Sequence, residues 1–174
     1  FVRRGLRKGP EPVHLAAVVG LRRAGAAAKS ALLAALSDKY PEVRRAVVAA
    51  LGALGDAALA PRLAECLTDD DAAVRAEAMV VLASLQRAGV AGLAAAVLRG
   101  DAAPEPRVAA AVALSRAVSQ DTVVHLDYGL RDADWSVRVA CARSAGALRD
   151  DVAAARLVVP KLIDALGREE RVRV

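Results

Sequence analysis

Leu36-Ser37-Asp38-Lys39-Tyr40-Pro41-Glu42-Val43-Arg44-Arg45-Ala46 decides the fold, because its skeleton returns along the chain. An Asp is followed six residues later by an Arg at Asp38/Arg44, Asp69/Arg75, Asp101/Arg107 and Asp132/Arg138, and the pairs recur every 31, 32 and 31 residues. The residue before each Arg is Val43, Val74, Pro106 or Val137; the residue seven later is Leu51, Leu82, Leu114 or Ala145; the residue ten later is Leu54, Leu85, Ala117 or Leu148. Spacings of seven and three keep side chains on one helical face. Upstream, Leu36, Leu67 and Leu130 each stand two residues before the Asp, with Leu32 and Leu63 one turn earlier. Each repeat is therefore a helix, a turn carrying the Asp, and a second helix opening near Val-Arg.

A period in the low thirties with two helices per repeat predicts an all-α solenoid of stacked antiparallel helix pairs, in which neighbouring repeats supply one another's core. Residues 1–10 read as a basic linker or the end of a preceding helix. Residues 11–174 read as a single array: a half repeat at 11–25, repeats at 26–55, 57–87, 90–118 and 120–149, and a partial repeat at 151–174. Pro41 and Pro106 fall where second helices begin, a position that needs no amide donor. Pro61 and Pro160 each stand six residues before a Leu inside an apolar helical stretch, so a kink is expected in the first helices of those repeats. The third repeat, with Pro106 for Val, Ala117 for Leu and the turn Ala103-Pro104-Glu105-Pro106, is expected to stack more loosely. In the last, Gly167 replaces the expected Asp.

The run from Leu36 to Arg44, continued by Ala50-Leu51-Gly52-Ala53-Leu54-Gly55-Asp56 and repeated at Leu67 to Leu85 and Leu130 to Leu148, resembles a HEAT-like repeat of the type first described in phycobilisome lyases. The resemblance covers roughly residues 11–174. It implies a right-handed superhelix of HEAT-like or armadillo type, with second helices lining the concave side. It also implies that Asp38, Arg44, Asp69, Arg75, Asp101, Arg107, Asp132 and Arg138 form a structural ladder between repeats. The chemistry suits that role: an Asp in a turn accepts amides near the next helix start, and an Arg one turn inside bonds a neighbouring carboxylate or carbonyl.

Composition narrows the rest. Hydrophobic residues make up 56% of the chain, dominated by Ala, and aromatics only 2%. The longest apolar run, Val90 to Leu98, is too short to span a bilayer, and no signal peptide is visible. Cys66 and Cys141 lie in different helices and read as small buried thiols of a reducing compartment, so a cytoplasmic location is the default expectation. The net charge is +5, of which residues 1–9, through Arg3, Arg4, Arg7 and Lys8, contribute +4, leaving the other 165 residues at +1. A phosphate-tracking surface needs cations spread along a groove, which argues against a nucleic-acid binder. The chain begins at Phe1 and stops at Val174, where another second helix is due, and so reads as a segment of a longer chain or assembly.

Candidate chemistry is sparse. His14 and His125 lack metal-ligand spacing, and each is followed by Leu, so the His-Glu dipeptides of HEAT-like metal hydroxylases are missing. No nucleophile elbow or phosphate loop appears. Neither the basic, aromatic-lined face of HEAT-like DNA glycosylases nor a chromophore site of bilin lyases is marked. No catalytic residue, cofactor or metal is assigned. The expected function is a non-enzymatic protein-binding scaffold, with a nucleic-acid backbone binder as the alternative and a bilin-lyase-like or glycosylase-like enzyme as a distant third. The partner, a protein or peptide, is expected on the concave face against Arg23, Arg45, Glu77, Arg116 and Arg143. A second candidate edge is the turn ridge bearing Tyr40 and Trp135.

Overall fold

Each turn is closed by its own Asp. In the computed structural model, which describes residues 9–85, 89–117, 120–148, 156 and 159–164, the carboxylates of Asp38, Asp69, Asp101 and Asp132 accept the amide two residues on, from Tyr40, Asp71, Ala103 and Asp134, at 2.9–3.0 Å. The next residue begins the second helix of the repeat. Two devices start it. In the second and fourth repeats a further acid caps the helix: Asp71 accepts from the amides of Ala73 and Val74, and Asp134 from Ser136. In the first and third, Pro41 or Pro104 opens the helix, where the missing N–H costs nothing. The third-repeat helix thus begins at Pro104, two residues ahead of Pro106, which is buried in the place that Val43, Val74 and Val137 fill elsewhere.

The chain divides into two bodies, Phe1–Gln86 and Arg87–Val174. The first holds α1 (Glu11–Ala24), α2 (Lys29–Ala35), α3 (Pro41–Gly52), α4 (Ala60–Glu65) and α5 (Ala72–Leu85). Here α1 packs on α3 and α3 on α5, with α2 and α4 laid against the second helices of their own repeats. Leu32, Val43, Val47, Val48, Leu51, Leu63, Val74 and Leu82 are fully buried between them. The second body holds α6 (Val90–Gly100), α7 (Pro104–Leu114), α8 (Gln120–Gly129) and α9 (Trp135–Ala147), with α6 on α7, α7 on α9 and α8 against both α6 and α9. Its core is built on Leu98, Ala110, Leu114, Leu126, Val137 and Cys141. No strand occurs among the described residues. Each body is a stack of helix hairpins, the solenoid class.

Around Pro61 the first helix of the second repeat is not one continuous α-helix. The segment breaks into a 3-10 turn at Ala57–Leu59, capped by Asp56, then α4, then another 3-10 turn at Cys66–Thr68. Pro61 stands in the first turn of α4, where its missing amide costs little, and the change from 3-10 to α geometry falls just before it. Before α4, Gly55 turns the chain out of the second helix with φ +67°, a region that favours glycine. Residues 159–164 are helical around Pro160, but the stretch before it, and the last-repeat positions around Gly167, lie outside the described residues.

The first helices of the second body exchange bulk. Six and three residues before the Asp stand Leu32 and Ala35, Leu63 and Cys66, or Leu126 and Gly129, large then small; the third repeat reverses the order with Ala95 and Leu98. A Cβ built on Gly129 would overlap Cys141 Sγ and stand 3.3 Å from both methyls of Leu98. The outsized Leu98 and the missing side chain of Gly129 compensate each other across α6 and α8.

Candidate functional site

In the charged register Arg44 and Arg107 each hold two turns. Arg44 grips Asp69 through two parallel bonds, Nε to Oδ2 at 2.8 Å and Nη2 to Oδ1 at 2.6 Å, and reaches Asp70 at 2.5 Å. Its Nη1 donates back to the Asp38 carbonyl, tying its own turn to the next. In the second body Arg107 repeats the arrangement, with 2.9 Å bonds to both oxygens of Asp132 and further bonds to the Asp101 and Ala102 carbonyls. Arg75 and Arg138 likewise bond the carbonyls of Asp69 and Asp132, six residues back. The bidentate fork is what guanidinium planarity allows and an ammonium does not. Burial pulls the Asp69 carboxyl upward, but the bonds from Arg44 and the Asp71 amide outweigh it and hold the group below the usual carboxylate range.

The first rung contains no Arg. His14, in α1, donates from Nδ1 to Asp38 Oδ2 at 2.6 Å, with both side chains only 4% exposed. It lies 24 residues before its Asp, where the Arg rungs have 25. Metal-ligand spacing gives His14 no role in the sequence; its signal is positional, one repeat ahead of Arg44. Tyr40 stands edge-on to the imidazole at 5.3 Å between ring centroids, with Lys39 Nζ 4.6 Å from its own ring centre. Tyr40 is therefore half-buried over His14 rather than projecting as a free ridge aromatic. Trp135 does project: it opens α9 and is 68% exposed.

Of the other residues singled out for a partner, Arg23 and Arg45 are exposed in the first body, and Glu77 is half-buried. Arg116 and Arg143 are exposed in the second body, near Val112 and Val139, which are also open to solvent. A different grouping in the second body escaped the sequence reading. A cleft of about 360 Å³ is lined by Leu98, Arg99, Tyr128 and Arg131, with the Arg107-Asp132 pair along it. Its members come from the ends of α6 and α8, the turns that follow each, and the start of α7, so only folding collects them.

Residues 3–83 match the family model for HEAT repeats. No curated protein matches the chain. Among solved structures 29 chains match, including one in the complex of CpcE and CpcF of phycocyanin lyase from Nostoc sp. PCC7120, 26% identical, with a TM-score of 0.68 over 90% of this chain. The fold is HEAT-like, with HEAT repeats matched over residues 3–83. It spans 66% of that neighbouring chain.

Within this HEAT-like chain the two thiols are free, and burial pushes Cys141 up to about 12, which keeps it protonated at neutral pH. Cys66, half-buried, is also raised by burial. No group of three or more side chains placed to hold a metal occurs among the described residues. Nor, among them, is any helix long and apolar enough to cross a membrane.

Proposed function

We propose that this HEAT-like chain is a non-catalytic protein-binding scaffold, a segment of a larger intracellular, cytoplasmic protein or assembly. The observation that carries the reading is the similarity, over 90% of the chain, to a repeat protein solved as a complex of two lyase subunits. Polar side chains support it by their employment: the buried carboxylates and guanidiniums already hold turns together, leaving the exposed Arg45, Arg116 and Arg143 of the second helices and their margins for a partner. Exposed Arg suits carboxylates on an approaching helix or peptide. The test is affinity capture with the intact chain beside Arg45→Glu/Arg116→Glu/Arg143→Glu, with mass spectrometry of what is retained. Loss of a defined partner from the variant is expected; identical partners in both would discard the second-helix surface.

A second reading, a subunit acting in a phycocyanin lyase, draws on the same neighbour. Incubation with a bilin and the phycocyanin apoprotein, followed by absorbance and covalent-mass measurement, separates the two. Chromophore transfer would replace the scaffold reading.

A further inference from the structure

In the cleft of the second body, Arg99 makes no ion pair with any described residue. Arg99, in the last turn of α6, lies 5.6 Å over the ring of Tyr128, and its Nη2 is 3.0 Å from Nδ1 of His125. A guanidinium only donates, so His125 accepts with a neutral ring, and among the described residues Arg99 meets no carboxylate. Arg131, across the cleft, shares the single carboxylate of Asp127 with Lys161, each at 2.9 Å. Asp121 acts on His125 from α8, Asp132 is gripped by Arg107, and Asp101 accepts the Ala103 amide while its charge acts on Arg107. Three arginines, Arg99, Arg107 and Arg131, thus face two aspartates, Asp101 and Asp132, around the cleft, above an apolar floor formed by the buried Leu98. Trp135 stands two residues beyond Ala133, which lines the cleft, and is mostly exposed. Arg and Tyr line this open cleft, and Arg, Tyr and Trp are the side chains enriched at protein interfaces.

We propose that this cleft receives an acidic segment of a partner protein, one Asp or Glu carboxylate seated between Arg99 and Arg131 and a flanking apolar residue laid on Tyr128 and Trp135. The volume holds one or two side chains, not a folded element. His125 is a positioning residue, holding the Arg99 fork over the ring. The inference rests on the protein-binding reading but places the contact away from the second-helix arginines.

Selection of a random peptide library on the full chain tests it, with the fluorescence of Trp135, the sole Trp, as the binding signal. Enriched peptides should carry an acid beside an apolar residue, bind Arg99→Ala/Arg131→Ala at least about ten-fold more weakly, and bind Arg45→Glu/Arg116→Glu/Arg143→Glu unchanged. Charge reversal guards against misfolding: Arg99→Glu/Arg131→Glu, with an unaltered circular dichroism spectrum, should bind the Lys counterparts of the same peptides. Enrichment of uncharged or basic peptides, no enrichment, or equal binding by glutarate alone would overturn the proposal. If instead a captured protein is lost only from the Arg45/Arg116/Arg143 variant, the scaffold reading stands and the cleft falls; if none is captured by any form, both fall.

Discussion

Arg44 joins two turns with one planar group, and its side chain is only 11% exposed, so solvent screens the pairing little. Arg44→Ala leaves the Asp69 carboxylate and the Asp38 carbonyl without that donor and should cost about 1–3 kcal/mol in urea unfolding, with Arg107→Ala similar in the second body. Arg44→Lys should recover only part of it, because one ammonium cannot make both parallel bonds. The carboxylates also set an acid limit. Asp69 and Asp127 lie below the ordinary value of 3.8, each pulled up by burial and more strongly down, Asp69 by Arg44 and the Asp71 amide and Asp127 by Lys161 and Arg131. An unfolded chain therefore binds more protons than the folded one just under that value. Their contribution is complete at neutral pH and fades as pH falls through 3.8 towards the native values, so melting temperatures should drop over roughly pH 5 to pH 2. His125 adds a shallower loss beginning as pH falls through 6.5, since burial, and then Arg99, lower its pKa in the fold. A melting temperature flat across both ranges would contradict this account.

At the scale of single helices, stability depends on starts and on close approach. Asp71 caps α5 through two amides, and Asp71→Ala should cost about 1 kcal/mol, whereas in the Pro-started α3 the same kind of change at Tyr40 removes no side-chain cap. Gly129→Ala is expected to destabilise the second body by about 1–3 kcal/mol, because the new methyl overlaps Cys141 Sγ and crowds Leu98. Adding Leu98→Ala should not restore the loss, since the thiol is the nearer obstacle; adding Cys141→Ala should recover part of it. Double-mutant cycles by chemical denaturation measure both terms. Such pairing of Leu98 with Gly129 was invisible in the periodic pattern, where a reversed order of large and small residues looks like mere degeneration of the repeat.

For the molecule as a whole, charge is concentrated at one end of the sequence. Deleting residues 1–9 lowers the net charge from +5 to +1, and any salt-sensitive retention on a DNA column should vanish with it. Retention that persists would move the nucleic-acid alternative onto the repeat body. Much of the architecture was legible before folding: spacing alone separates the helices, and the Val before each Arg and the Leu seven after it read as core, as the burial of Val43, Val74, Leu51 and Leu82 shows. A helix repeats its faces every few residues, so local order prints itself on the sequence as a period. Other features depend on distance through space. His14 occupies an Arg position without being an Arg, Tyr40 turns over it, and Arg99, Tyr128 and Arg131 meet in one cleft although 32 residues of chain separate the first from the last. What the amino-acid order determined by itself is the repeated hairpin, because periodic burial is a one-dimensional property; which charges remain unmatched was decided only by tertiary packing, which chooses the neighbours across which electrostatic energy is shared.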